Sequence, residues 1–192
     1  MSSTTVSTGL EQTTGTWVID PSHSRVGFSA KHAMVATVRG QFTDFSGSLT
    51  LDGSNPAASS AEVTIATASI NTSSEDRDNH VRSADFLDVE SHPEMTFRST
   101  GIKHQGGDDF VMAGDLTIRG TTRPVELEAE LEGLATDPFG NERIGVSGAT
   151  VISRKDFGLT WNVALEAGGV LVSRTIKLHI AAEVVEPTAA AA

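Results

Sequence analysis

The side chains with the widest chemical reach in this chain are its histidines and a few arginines. Imidazole ligates metals and exchanges protons near neutral pH, and guanidinium holds carboxylates and phosphates. There are six histidines and no cysteine. Without a thiol there is no disulfide framework, thiolate zinc site, iron–sulfur cluster or cysteine nucleophile, and the count is compatible with a reducing compartment. His179 falls on the polar parity of an alternating segment and His104 abuts Gly106 and Gly107, so both are expected in water. His23, in the turn sequence Asp20-Pro21-Ser22-His23-Ser24, reads as structural. His32 shares parity with Val26, Phe28 and Ala30, an interior position. There it must be satisfied within the core, touch a ligand, bind a metal or stand at a barrel mouth. His80 and His92 join it as a two- or three-histidine metal set if the fold converges them. Arg154 shares parity with Ile152 and either pairs with a structural carboxylate or holds a ligand's polar head near a rim.

The usual catalytic signatures are absent. There is no phosphate-binding loop, dinucleotide fingerprint or His-Glu-x-x-His pattern. Gly145-Val146-Ser147-Gly148 lacks the spacing and strand-to-helix setting of a hydrolase elbow. With 25 acidic residues in the chain, neighbours such as Asp85 and Asp88 arise by chance and are read as solvated or capping groups. No catalytic residue, cofactor or metal is assigned.

The elements that must position these groups are strands. Val125, Leu127, Ala129 and Leu131 alternate with Glu126, Glu128, Glu130 and Glu132, a strand with one wet face. Similar alternation runs from Phe110 to Ile118 and from Ile176 to Val184. Less regular strands are expected over 17–20, 25–31, 41–51, 61–70, 95–103 and 144–154, separated by turn clusters. Many sequential antiparallel strands, with Gly27, Gly47, Gly114 and Gly148 allowing curvature, predict an all-β, eight-stranded antiparallel barrel with one or two short helices. The one helical signal is a capping-box pattern of Thr72 and Glu75 followed by Val81 and Ala84, placed to plug or flank the barrel. A single domain is expected over 15–186, with disordered tails at 1–14 and 187–192.

The chain of 192 residues carries 25 acidic and 14 basic side chains, a net charge of −11. That charge opposes nucleic acid and anionic membranes, so neither nucleic-acid binding nor stable membrane insertion is expected. No run approaches the roughly 20 apolar residues that cross a bilayer, and Met1 to Gln12 lacks the basic and apolar regions of a secretory signal. A soluble, cytoplasmic protein is expected. The large apolar groups, among them Trp17, Phe45, Phe86 and Met95, either pack an eight-stranded barrel solid or leave one ligand cavity.

A series of blocks runs in order along the chain: Trp17, Ile19, Asp20, Pro21, His23 and Ser24, then Lys31, His32 and the stretch Val38 to Phe42. Arg77, Asp78, His80, Val81, Arg82, Asp85 and Phe86 follow, then Gly114, Leu116, Arg119 and Gly120, then Arg154, Asp156, Phe157, Gly158, Trp161 and Asn162. In these residues the chain resembles the YceI-like, polyisoprenoid-binding family, whose members have a lipocalin-like barrel. The resemblance implies a barrel that accommodates a long isoprenoid tail, as of a polyprenyl phosphate or a quinone, often in a homodimer, with no established catalysis. Many members carry a signal peptide, a feature the N-terminus here departs from.

The resulting expectation is a non-catalytic carrier. Phe28, Phe42, Phe97, Met112, Leu116 and Trp161 are expected as cavity walls, and His32, Arg77, His80 and Arg154 as head-group contacts. The alternatives are a barrel enzyme using His32 or His80 for proton transfer or metal binding on a lipid-like substrate, and an interaction protein with a solid core.

Overall fold

The computed structural model describes residues 11–166 and 168–187. Strands run over β1 (Gly15–Ile19), β2 (Arg25–His32), β3 (Ala36–Phe42), β4 (Phe45–Leu51), β5 (Ser60–Ala66) and β6 (Ile70–Asn71). After α1 (Glu75–Arg82) come β7 (Glu94–Gly106), β8 (Asp109–Ile118), β9 (Thr121–Thr136), β10 (Glu142–Ser153) and β11 (Val172–Val185). Every pairing among the strands is antiparallel.

Six of these segments join end to end into three broken strands. β1 and β2 run the same way along β11, and β4 and β3 the same way along them; Val18 faces Ser48 and Val26 faces Phe42, a register offset of only two residues across the break. β5 and β6 continue one another along β4 and β3 in the same manner. Counted this way the chain makes eight antiparallel strands in meander order, and β11 closes the ring by pairing with both β1 and β2. The expected eight-stranded barrel is the fold.

The breaks explain two differences from expectation. The strands expected over 41–51 and 61–70 are each interrupted, the first at Thr43 and Asp44, the second by a 3₁₀ turn at Thr67–Ser69. The interruptions lie side by side: Thr43 N donates to Ser69 O at 3.2 Å and Ala66 N to Asp44 O at 3.0 Å, so the wall bends without orphaning its backbone. β3 begins earlier than expected, at Ala36: Thr37, Arg39 and Gln41 do alternate with Ala36, Val38, Gly40 and Phe42, but Ala36 and Gly40 are too small to make the apolar half of that pattern stand out.

The helix also starts differently. Ser74, not Thr72, is its N-cap, and Thr72 instead donates its backbone N and its hydroxyl to Asp78 Oδ1, at 2.9 and 2.5 Å. That buried carboxylate ties the helix to the strand end before it. Arg82 reaches back from the last turn to Ala68 O and Ile70 O, at 2.8 and 2.7 Å. Most of both expected tails, 1–10 and 188–192, lies outside the described residues; within 1–14, Glu11–Thr13 instead forms a 3₁₀ turn whose Thr13 is buried and accepts a hydrogen bond from Trp17 Nε1 at 2.8 Å. Trp17, Ile144 and Val184 are fully buried and form a solid floor at that end. No helix among the described residues is long and apolar enough to cross a membrane.

Outside the floor, a clasp of three carboxylates around one arginine holds three segments together. Arg143 on β10 donates from Nη1 to Asp20 Oδ2 at 3.0 Å and to Glu183 Oε1, and from Nε to Asp137 Oδ2 at 2.8 Å. Asp20 also meets His23 Nδ1 at 2.9 Å, which fixes His23 in the structural role expected for it. Hydrogen bonds from Ser22 first, then His23 and Arg143, hold the Asp20 carboxyl well below its ordinary range; Asn141 and Arg143 do the same for Asp137. Both folded-state values lie below the unfolded value of about 3.9, so this stabilisation is present above that pH and is lost as the pH falls toward the folded values. Arg143→Met should therefore lower the thermal midpoint at pH 7, and the gap to the parent should narrow below about pH 4, where these carboxyls take up protons in the unfolded chain. A gap that stays constant across the pH series measured by circular dichroism would assign Arg143 a packing role only.

Candidate ligand cavity

The eight strands enclose more space than their side chains fill. A cavity of about 530 Å³ lies in the half of the barrel bounded by the β2–β3 connection, α1 and the segment 158–171. That volume is within the roughly 300–1,000 Å³ usual for small-molecule sites. The wall is almost wholly apolar, because inward positions of the alternating strands carry Val, Ile, Leu and Phe while the Glu row of β9 faces out.

Nine of the ten expected site residues line this cavity. Phe28, Phe42, Phe97 and Leu116 come from four different strands, and the Phe28 and Phe42 rings pack 5.7 Å apart. Met112 departs from expectation: it lines a second cavity of about 130 Å³ nearer the floor. Its parity was read correctly, but it lies deeper along β8, where the barrel interior narrows.

The polar groups gather at one end. His32 is exposed at the tip of β2, opposite Val172, so its interior parity resolves to a place at the mouth. Arg77 projects from α1 and is pinned to Thr72, with Nε donating to Oγ1 and Nη2 to the carbonyl, both at 2.7 Å. His80, one turn on, holds Asp85 Oδ2 through Nε2 at 2.9 Å. Its ring meets Trp161 edge-on at 4.6 Å and Phe86 edge-on at 5.1 Å, and Trp161 and Phe86 lie 5.2 Å apart. This aromatic cluster spans from the helix to the 158–171 segment and forms one side of the mouth. Lys31 and Asp76 complete the charged groups there.

Arg154 behaves differently from both alternatives read in the sequence. It lines the cavity but is only 3% exposed, and its guanidinium meets backbone carbonyls rather than a carboxylate. Nε donates to Ser173 O at 2.9 Å, Nη1 to Leu159 O at 2.6 Å and Nη2 to Val172 O at 3.4 Å. Burial pulls its pKa below the ordinary guanidinium value. The planar fork joins the end of β10, the 158–171 segment and the start of β11. Asn162 finishes the join by donating to Val172 O at 2.8 Å and accepting from Val172 N at 3.0 Å.

Among the described residues, His32, His80 and His92 do not converge on a shared ligating position; the one such cluster is Asp20, His23 and Glu183, which Arg143 already bridges. His104 and His179 are exposed, as expected, and His104 bonds Gly107 O at 2.8 Å. In the sequence, Asn162 and Asp78 carry only the family resemblance and Thr72 only a capping pattern, and nothing there assigns any of them a place in the site. Each sits in a stretch without alternation, and only its hydrogen bonds reveal its part in shaping the mouth.

Residues 17–184, nearly the whole barrel, match the family described as YceI-like domain. The chain belongs to the YceI-like family. Protein YceI of Escherichia coli is 44% identical over 71% of this chain and 71% of its own length. The solved YceI protein of Campylobacter jejuni superposes with a TM-score of 0.69 at 33% identity, covering 82% of this chain and 90% of that one. A structure described as a polyisoprenoid binding domain from Saccharophagus degradans, implicated in plant cell wall breakdown, shares the fold with a TM-score of 0.67 at 15% identity, over 89% of this chain and 98% of that one.

Removing the Arg154 fork leaves buried carbonyls unpaired, at roughly 1–3 kcal/mol for each that finds no substitute. Arg154→Leu should lower stability by about 2–4 kcal/mol in urea unfolding. Arg154→Lys should recover little of it, since one ammonium cannot reproduce the planar spread of donors. Full recovery by lysine would mean that charge, not geometry, is what this position requires.

Proposed function

We propose that this YceI-like barrel is a non-catalytic carrier that encloses the tail of an isoprenoid or other long apolar lipid, of polyprenyl phosphate or quinone type. The observation that carries the reading is the cavity: about 530 Å³ walled by apolar side chains, with its charged groups confined to one end. An elongated ligand with a polar head and an apolar tail suits that layout. Each buried CH₂ contributes about 0.8 kcal/mol, whereas a phosphate drawn among Phe28, Phe42, Phe97 and Leu116 would lose its hydration without a partner. The head therefore stays at the mouth, within reach of His32, Arg77 and His80, and Trp161 covers the first tail carbons. Arg154 acts from inside the wall, holding the mouth segment in place. The Saccharophagus degradans domain, described as polyisoprenoid binding, supports the same reading. Pairing of two chains into a homodimer follows from the family resemblance alone.

Native mass spectrometry of freshly purified protein, followed by organic extraction, tests the carrier. A prenyl lipid or quinone near one per chain is the expected result. A clean apo mass that persists when prenyl lipids are offered would overturn it, and release of a chemically altered lipid would point to an enzyme instead. Trp161→Asp and Phe97→Asp should each abolish uptake in a protein that retains its strand signature by circular dichroism. Undiminished uptake in folded variants would remove both residues from the site.

A further inference from the structure

The cavity that opens at the mouth and the smaller one near the floor, about 530 and about 130 Å³, are not separate features. Val63, Phe97, Leu127, Gly148 and Ile180 line both. They come from β5, β7, β9, β10 and β11, and they adjoin in the ladder: Val63 faces Phe97, and Gly148 faces Ile180. They form a waist at which an outer and an inner chamber adjoin.

Two glycines shape this waist. A Cβ at Gly114 would overlap the outer edge of the Phe97 ring and Arg98 O, so Gly114 is what lets that ring lie back against β8 instead of crossing the interior. Gly148 is the opposite case. A Cβ there would sit 3.6 Å from Leu127 Cδ2, an ordinary contact, so the backbone tolerates a side chain and glycine leaves the passage open beside Leu127. The inner chamber beyond is lined chiefly by apolar side chains such as Leu49, Ile102, Phe110, Met112 and Ala129, with Thr13, Asp52 and Glu130 among the few polar residues. Most of that wall is apolar, so the free end of a linear hydrocarbon chain fits it.

We propose that the inner chamber is a subsite for the distal end of the ligand's tail and that the waist at Gly148 meters tail length. The proposal rests on the carrier reading and adds what that reading leaves open, the point at which a longer tail stops gaining affinity. A tail that ends in the outer chamber leaves the inner one empty. One that passes Gly148 buries further carbons, each worth about a fourfold gain in affinity. The inner chamber has about a quarter of the outer volume, so the gain ends soon after the tail enters it.

The test is isothermal calorimetry with linear prenyl alcohols of increasing length, on the parent and on Gly148→Leu, Ala129→Leu and Gly148→Ala. In the parent, affinity should climb with length and then level off. Gly148→Leu, which blocks the waist, and Ala129→Leu, which fills the chamber behind it, should both level off at a shorter chain while binding short members as the parent does. Gly148→Ala, whose methyl fits beside Leu127, should move the plateau less than Gly148→Leu does. A plateau at the same length in the parent and both leucine variants would overturn the inner subsite and leave the carrier intact. No binding of any member to the parent would overturn both. Ala129→Leu keeps the test decisive if Gly148→Leu does not fold.

Discussion

One edge of β11 keeps this molecule closed. Its first part bonds to β2 and its last to β1, so a single strand edge satisfies both halves of a broken partner and leaves the ring without an open side. A closed ring pairs its own backbone groups, so its wall offers the interior apolar side chains with no unpaired backbone behind them. The apolar space inside depends on that closure. An open sheet with the same inward residues would collapse on itself or on a neighbour.

The two arginines nearest the barrel ends show how differently one side chain type can serve. Arg143 sits half-exposed among carboxylates, where its charge is matched and its attraction crosses from β10 to the β1–β2 break and to β11. Arg154 is buried among carbonyls, where no anion matches it and the value lies in the planar spread of its donors. One end is locked by charge and has a packed floor; the other is held by directed hydrogen bonds around an opening. Stiffness and access are thus placed at opposite ends of the same barrel.

What the amino-acid order revealed follows from periodicity. β9, with Val125, Leu127, Ala129 and Leu131 set between glutamates, declares both its existence and its faces. The walls Phe28, Phe42, Phe97 and Leu116 were found because inward parity is a property of each strand alone. Depth along the barrel is not such a property: Met112 has the right face, but only the pairing of β8 with β7 and β9 shows which chamber it meets. The same holds for Arg154, whose acceptors lie up to 19 positions downstream in the chain, and for Thr72, whose partner Asp78 outcompetes the local capping pattern. Local patterns set faces; distant pairings set roles.

Closure through β11 also has a consequence in time. β11 is the last of the eight strands to leave the ribosome, and its partners β1 and β2 are the first. Until it arrives, the meander is an open, curved sheet with its apolar concave side uncovered, the most adhesive state the chain passes through. Joining the two ends requires closing a loop of nearly the whole domain, a slow step for a chain whose contacts are mostly long-range. A hydrophobic molecule present during synthesis would meet a trough rather than a narrow mouth, and the final strand would seal it in. For the lipid proposed above, entry during synthesis and entry through the finished mouth would then face different barriers.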